Sequence, residues 1–165
     1  MAIINGRFTA KSEEPFAVFI IGVRINRLFA VHKWWPVASA MFPMLRELTA
    51  NPDLGLLSYE TMLYRRGVAF VQYWKSYDHL ERYARGTGGI HMKAWARFNK
   101  AVGNNGAVGI WHETYTIAPG NFEVVYGNMP KFGLGAALDH VPADGSRETA
   151  RGRLKAGDSN SNIPA

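Results

Sequence analysis

The sequence predicts an α+β, ferredoxin-like fold, on three observations. Apolar, β-branched and aromatic runs of strand length alternate with helical spacings in the order strand, helix, strand, strand, helix, strand. Two of the strand runs are separated only by Arg65-Arg66-Gly67, a connection short enough for a hairpin. The strand runs carry apolar residues on both faces, so both faces of the sheet need cover. Together these give a βαββαβ antiparallel sheet with helices on one face and the sheet of a second subunit on the other, hence a homodimer.

The elements follow in order. Phe16 to Ile25 (FAVFIIGVRI) is a nearly continuous apolar run and predicts a strand buried on both faces. A helix comes next, with Pro36 in its first turn and Ala38, Met41, Leu45 and Leu48 at helical spacing. Pro43 falls inside that spacing and should kink or restart the helix, and Asn51-Pro52 closes it. Leu56 to Tyr64 alternates as a strand does, and Val68 to Trp74 is its return strand. Ser76 is placed to cap a second helix, YDHLERYAR, which GTGG at 86 to 89 interrupts before IHMKAWARFNKAV resumes it. Val108 to Ile117 predicts the last core strand, and Phe122 to Tyr126 a further one.

The chain has 165 residues, of which 47% are hydrophobic and 13% aromatic, enough for one domain with its own core. Residues 1–14 are expected to be a flexible segment and 15–141 the folded domain. Residues 142–165 hold no Phe, Trp or Tyr and are expected to be a disordered tail. There is no cysteine, which excludes a disulfide framework, a thiolate metal site, a cysteine nucleophile and an iron–sulfur cluster. A cytoplasmic protein is expected. The opening MAIINGRFTAKSEE has no long apolar run, so no signal peptide is expected.

The net charge is +6, but the 19 Lys and Arg are scattered, so solubility rather than nucleic-acid binding is the expected use. No stretch reaches the ~18 uninterrupted apolar residues of a membrane span. Leu28 to Leu45 is apolar but holds His32, Lys33, Pro36 and Pro43; a buried helix is expected there, with contact to a membrane surface as the alternative.

The stretch GIWHETYTI, residues 109 to 117, sets a histidine beside a glutamate. Successive strand residues point to opposite faces, so Ile110, His112 and Thr114 share one face and Trp111, Glu113 and Tyr115 the other. His112 and Glu113 are therefore not a catalytic pair, and the sequence leaves open which face each takes. A zinc motif of the HExxH kind fails because position 116 is Thr. Glu113 reads most simply as the ion-pair partner of an arginine, either in its own chain or across the dimer, and His112 as a hydrogen-bonded histidine of a half-polar core.

His91 leads a helical stripe with Trp95, Phe98 and Val102. It reads either as a capping or core-edge histidine, or as a pocket residue: an axial haem ligand or an acid/base group. Trp34, Trp35, Trp74, Trp95 and Trp111 either are core or line an apolar pocket between sheet and helices. His32 and His79 read as surface residues. GLGAAL at 133 to 138 lacks the Gly-Lys-Ser/Thr ending of a phosphate loop, and no GxSxG elbow occurs.

Taken together, VGIWHETY, NFEVVYGNMP and GLGAA, with VQYWKSYDHLERYA, HMKAWARFN and FPMLREL upstream, resemble a monooxygenase-like family of the dimeric α/β-barrel superfamily. That family is related to the antibiotic-biosynthesis monooxygenases and to the α/β-barrel monooxygenase of the fungal fumagillin pathway. The resemblance spans roughly residues 15 to 141. It implies a ferredoxin-like dimer with a pocket between sheet and helices. Some members of the superfamily oxidise polycyclic or terpenoid substrates without metal or flavin; others hold haem through a histidine on the second helix, the position that His91 resembles. His112 and Trp111 resemble strand residues lining such pockets.

The function expected is thus oxidation of a small, largely apolar molecule, terpenoid- or polyketide-like. His112 or His91 would move a proton, Asn99, Tyr115 or Tyr126 would orient a polar group, and Trp74, Trp95, Phe98 and Trp111 would enclose the substrate. The cofactor is expected to be either none or haem, with no metal ligand unless His91 holds haem. The alternatives are a haem-dependent enzyme and a non-catalytic protein that sequesters an apolar ligand.

Overall fold

The computed structural model describes residues 2–86 and 106–156. Its main sheet has four strands: β2 (Phe16–Ile25), β3 (Leu56–Tyr64), β4 (Gly67–Trp74) and β5 (Val108–Ile117). They lie in the order β3-β4-β2-β5, and every neighbouring pair is antiparallel. Between β2 and β3 run α1 (Val31–Ser39) and α2 (Met41–Ala50), and α3 (Tyr77–Arg85) follows β4. This is the ferredoxin-like arrangement. The resumed helix expected at IHMKAWARFNKAV lies outside the described residues.

Local chemistry explains the joints. Pro43 lacks the N–H that a continuous helix would bond, so the helix breaks at Ala40 and Pro43 falls in the first turn of α2. Pro36, expected in a first turn, sits inside α1 instead. In the hairpin, Arg66 takes a positive φ of 71°. Its guanidinium holds it there, donating to the carbonyls of Ile25 (3.1 Å) and Asn26 (2.6 Å). Gly67 follows because a Cβ would come 2.1 Å from the Val23 carbonyl oxygen. Ser76 caps α3 as expected, its hydroxyl accepting from the His79 N–H at 3.3 Å.

Helices α1, α2 and α3 cover one side of the sheet. There Ala17, Phe70 and Trp74 pack with Leu45 and Leu48 of α2, with Leu80 of α3, and with Leu56. A second cluster joins Val23 and Val108 to Val37 of α1 and to Ala107. Trp74, Phe70 and Leu48 are fully buried, each contributing on the order of 2 kcal/mol or more of hydrophobic stabilisation.

A second sheet has no counterpart in the sequence reading. β1 (Ile4–Lys11) pairs on one side with β6 (Tyr126–Met129) and on the other with β7 (Asp139–Pro142). The expectation of a flexible segment over residues 1–14 is therefore corrected: Thr9 and Ala10 are buried, and the Thr9 hydroxyl donates to the Val124 carbonyl at 2.8 Å. The expected strand from Phe122 begins only at Tyr126. A short helix, α4 (Leu134–Ala137), links β6 to β7.

The expected disordered tail is corrected as well, as far as it is described. A 3₁₀ turn (Gly145–Arg147) and α5 (Ala150–Ala156) follow β7. Arg153 is buried there. It pairs with Glu123 and donates to the carbonyls of Arg147 (3.0 Å) and Glu148 (2.8 Å). One satisfied guanidinium thus does what the segment's missing aromatics could not.

Candidate functional site

The register divides the expected site residues between two faces. The helix-facing side carries Phe19 and Ile21 of β2, Phe70, Gln72 and Trp74 of β4, and Ile110, His112 and Thr114 of β5. His112 is exposed on this side, with its ring centroid 5.6 Å from that of Phe19. Strand neighbours on either side of it are Ile110 and Thr114, and Ile21 stands opposite. An imidazole thus stands at the rim of an apolar floor.

Gln72 adds a polar group that sequence reasoning missed. It is 3% exposed; its carbonyl oxygen accepts the Trp74 indole N–H at 3.0 Å, and its amide nitrogen lies 3.7 Å from the Met41 sulfur. A buried amide held on one side by an indole and on the other only by a thioether keeps donor capacity to spare. The signal was present: Gln72 is the one polar side chain capable of this in the run VAFVQYW. Trp74, expected to line the site, is the fully buried anchor beneath it rather than a free wall.

Trp111 and Tyr115 lie on the opposite face, away from the helices. The Trp111 indole lies over Gly22, where a Cβ would come within 2.5 Å of it. Its N–H donates to the Tyr64 hydroxyl at 3.0 Å, which donates in turn to the Val23 carbonyl at 2.9 Å. The Tyr115 hydroxyl donates to Glu113 at 2.6 Å, and that bond holds the phenol above its ordinary pKa. Among the described residues of this single chain the partner of Glu113 is Tyr115; an arginine across the dimer would come from a second copy.

Tyr126 belongs to neither group. It starts β6, where the second sheet meets the main one. Its hydroxyl accepts from the Gly135 N–H at 3.1 Å, while Glu60 of β3 accepts from the Gly133 N–H at 2.9 Å. Tyr73 of β4 faces the same junction; burial first, then Tyr126 and Glu60, push it up to about 12. His140 is stacked on Phe8, their ring centroids 4.6 Å apart. Its Nε2 is buried with no partner among the described residues, and burial, with Lys131 adding, lowers its pKa.

His91, Trp95, Phe98 and Asn99 lie outside the described residues. Among the described residues no group of three or more His, Cys, Asp or Glu could hold a metal ion. None of their helices is long and apolar enough to cross a membrane.

No curated protein matches the sequence. A solved structure of aldoxime dehydratase in complex with butyraldoxime aligns with a TM-score of 0.54 at 16% identity, covering 71% of this chain and 37% of that one. The chain therefore spans little more than a third of that protein, and the likeness is one of fold. SnoaB, a cofactor-independent oxygenase from Streptomyces nogalater, aligns with a TM-score of 0.44 at 11% identity, over 62% of this chain and 92% of that one. A dimeric ferredoxin-like protein of unknown function from Jannaschia sp. aligns with a TM-score of 0.41 at 16% identity, over 59% and 97%. The profile of the family described as Monooxygenase af470-like matches residues 16–134, from the first residue of β2 to the first of α4. On a match over most of its length, the chain belongs to the Monooxygenase af470-like family.

Proposed function

We propose that this protein is a monooxygenase that oxidises a small, largely apolar molecule, terpenoid- or polyketide-like, on the helix-facing side of its main sheet. One observation carries the reading. In a chain of a monooxygenase family, His112 stands exposed at the edge of an apolar floor, beside Phe19. Such a floor binds and desolvates the body of the substrate, and an imidazole at its rim can take a proton from an acidic C–H or O–H.

Where the substrate itself supplies the electrons, the balance is simple. A CH2 group and O2 give a carbonyl and one water. His112 takes one proton, the carbanion adds to O2, and the peroxide formed takes that proton back. Loss of the second C–H proton then breaks the O–O bond, and the leaving hydroxide departs as water.

The reading includes a homodimer. Val18, Ile20 and Val71 are half-exposed on the face away from the helices, where a second copy's sheet would cover them.

The haem alternative rests on His91. An absorption spectrum of protein from haem-supplemented cells separates the two. A Soret band lost in His91→Ala would replace the cofactor-free route; a spectrum with only aromatic absorption keeps it. A protein that binds apolar ligands tightly but consumes no oxygen with any of them would be a binding protein instead.

A further inference from the structure

One end of the main sheet carries an apolar apex that the proposed reaction does not use. The chain leaves β2 at Ile25 and turns through residues 26–30 into α1. Phe29 at this turn is 99% exposed, and Leu28, Val31 and Trp35 are each exposed by half or more. Exposed aromatics are ordinary in loose loops, but this loop is tied down. The Asn26 and Arg27 N–H groups donate to the Ala107 carbonyl, Arg66 donates to the Ile25 and Asn26 carbonyls, and the Trp34 indole donates to the Leu28 carbonyl at 2.9 Å. The fold therefore holds the Phe29 ring outward.

The charge around the apex has one sign. Arg24 and Arg27 flank the turn, Lys33 sits in α1, and Arg65 lies in the adjoining hairpin, with Leu63 beside it 86% exposed. The sequence has no Asp or Glu from Pro15 to Arg46. Aromatic and aliphatic tips ringed by cations that form no ion pair among the described residues match the boundary between lipid headgroups and acyl chains. A protein partner would need acids on its own surface and a pocket for Phe29. A bilayer with anionic lipid supplies both the charge and the apolar layer at once.

We propose that this end of the sheet is a peripheral membrane-binding surface for anionic bilayers. Phe29 and Leu28 enter the acyl boundary, with Trp35 at headgroup depth. Arg24, Arg27, Lys33 and Arg65 lie against the lipid phosphates.

The test is sedimentation of the full chain with vesicles, run beside size-exclusion chromatography. Vesicles of phosphatidylcholine with about 30% phosphatidylserine should bind it at least roughly tenfold more tightly than phosphatidylcholine alone, and raising salt to about 0.5 M should weaken that binding. Phe29→Ser should weaken it by about tenfold. Its thermal melting should match the wild type, because the side chain touches almost nothing. Arg27→Glu should weaken it as well. Absence of binding, equal binding to both vesicle types, or undiminished binding by Phe29→Ser would overturn the proposal. So would a Phe29→Ser variant that elutes as a smaller particle, since the patch would then be a contact between copies.

Discussion

Arg153 and Glu123 form an ion pair that fastens α5 to the loop before β6, with the guanidinium 6% and the carboxylate 28% exposed. The same guanidinium closes off the Arg147 and Glu148 carbonyls. Arg153→Ala leaves the Glu123 carboxylate and the Arg147 carbonyl without this donor and the Glu148 carbonyl with Arg7 alone, and should cost about 2 kcal/mol. Urea unfolding measures this directly; an unchanged midpoint would mean that α5 adds nothing to the fold.

Trp111 and Gly22 fit each other as a flat ring fits a bare backbone. Gly22→Ala should displace the indole, break its bond to Tyr64, and cost about 1–3 kcal/mol. The cost should shrink in a Trp111→Ala background, because the clash is gone. Additive costs in that double-mutant cycle would show that Gly22 is needed for some other reason.

The sheet junction sets a pH window. The fold favours the neutral phenol of Tyr73, raised to about 12, whereas in the unfolded chain it ionises near ~10. The stability it lends is whole below pH ~10 and lost as pH rises through about 12. His140 behaves oppositely: its folded pKa is lowered, so its contribution is present above ~6.5 and lost as pH falls. Melting temperatures across pH should therefore fall less steeply on the alkaline side in Tyr73→Phe and on the acid side in His140→Phe. Parallel curves for wild type and variants would remove these groups from the balance.

The face away from the helices gives a test of assembly. Ile20 stands at its centre, between Val71 and Glu113 on the flanking strands. Ile20→Glu should convert a dimer to monomers in analytical ultracentrifugation, since a desolvated carboxylate would meet an apolar partner surface. A wild-type chain that sediments as a monomer would contradict the dimer outright.

Local periodicity made much of this legible. The order of β2, β3, β4 and β5, the hairpin at Arg65-Arg66 and the Ser76 cap each depend on residues close in sequence. So did the separation of His112 from Glu113. The second sheet was not legible, because its strands are short and polar and β1 finds its partners more than a hundred residues away. Phe122 to Val125 is apolar enough to read as a strand, yet Val124 spends its carbonyl on the Thr9 hydroxyl. Which face His112 takes was decided by where α1, α2 and α3 pack, and no feature of β5 alone encodes that. Gln72 passed unnoticed because an isolated polar residue in an apolar strand gains meaning only once its neighbours are known.

The central claim is that His112 moves a proton in an oxygen-consuming reaction. The most direct measurement is oxygen uptake by wild type and His112→Ala with a panel of polycyclic and terpenoid compounds that carry an acidic C–H. Substrate-dependent uptake should fall about 10²–10⁴-fold in the variant, with its melting temperature kept. A substrate that both proteins oxidise at the same rate would contradict it.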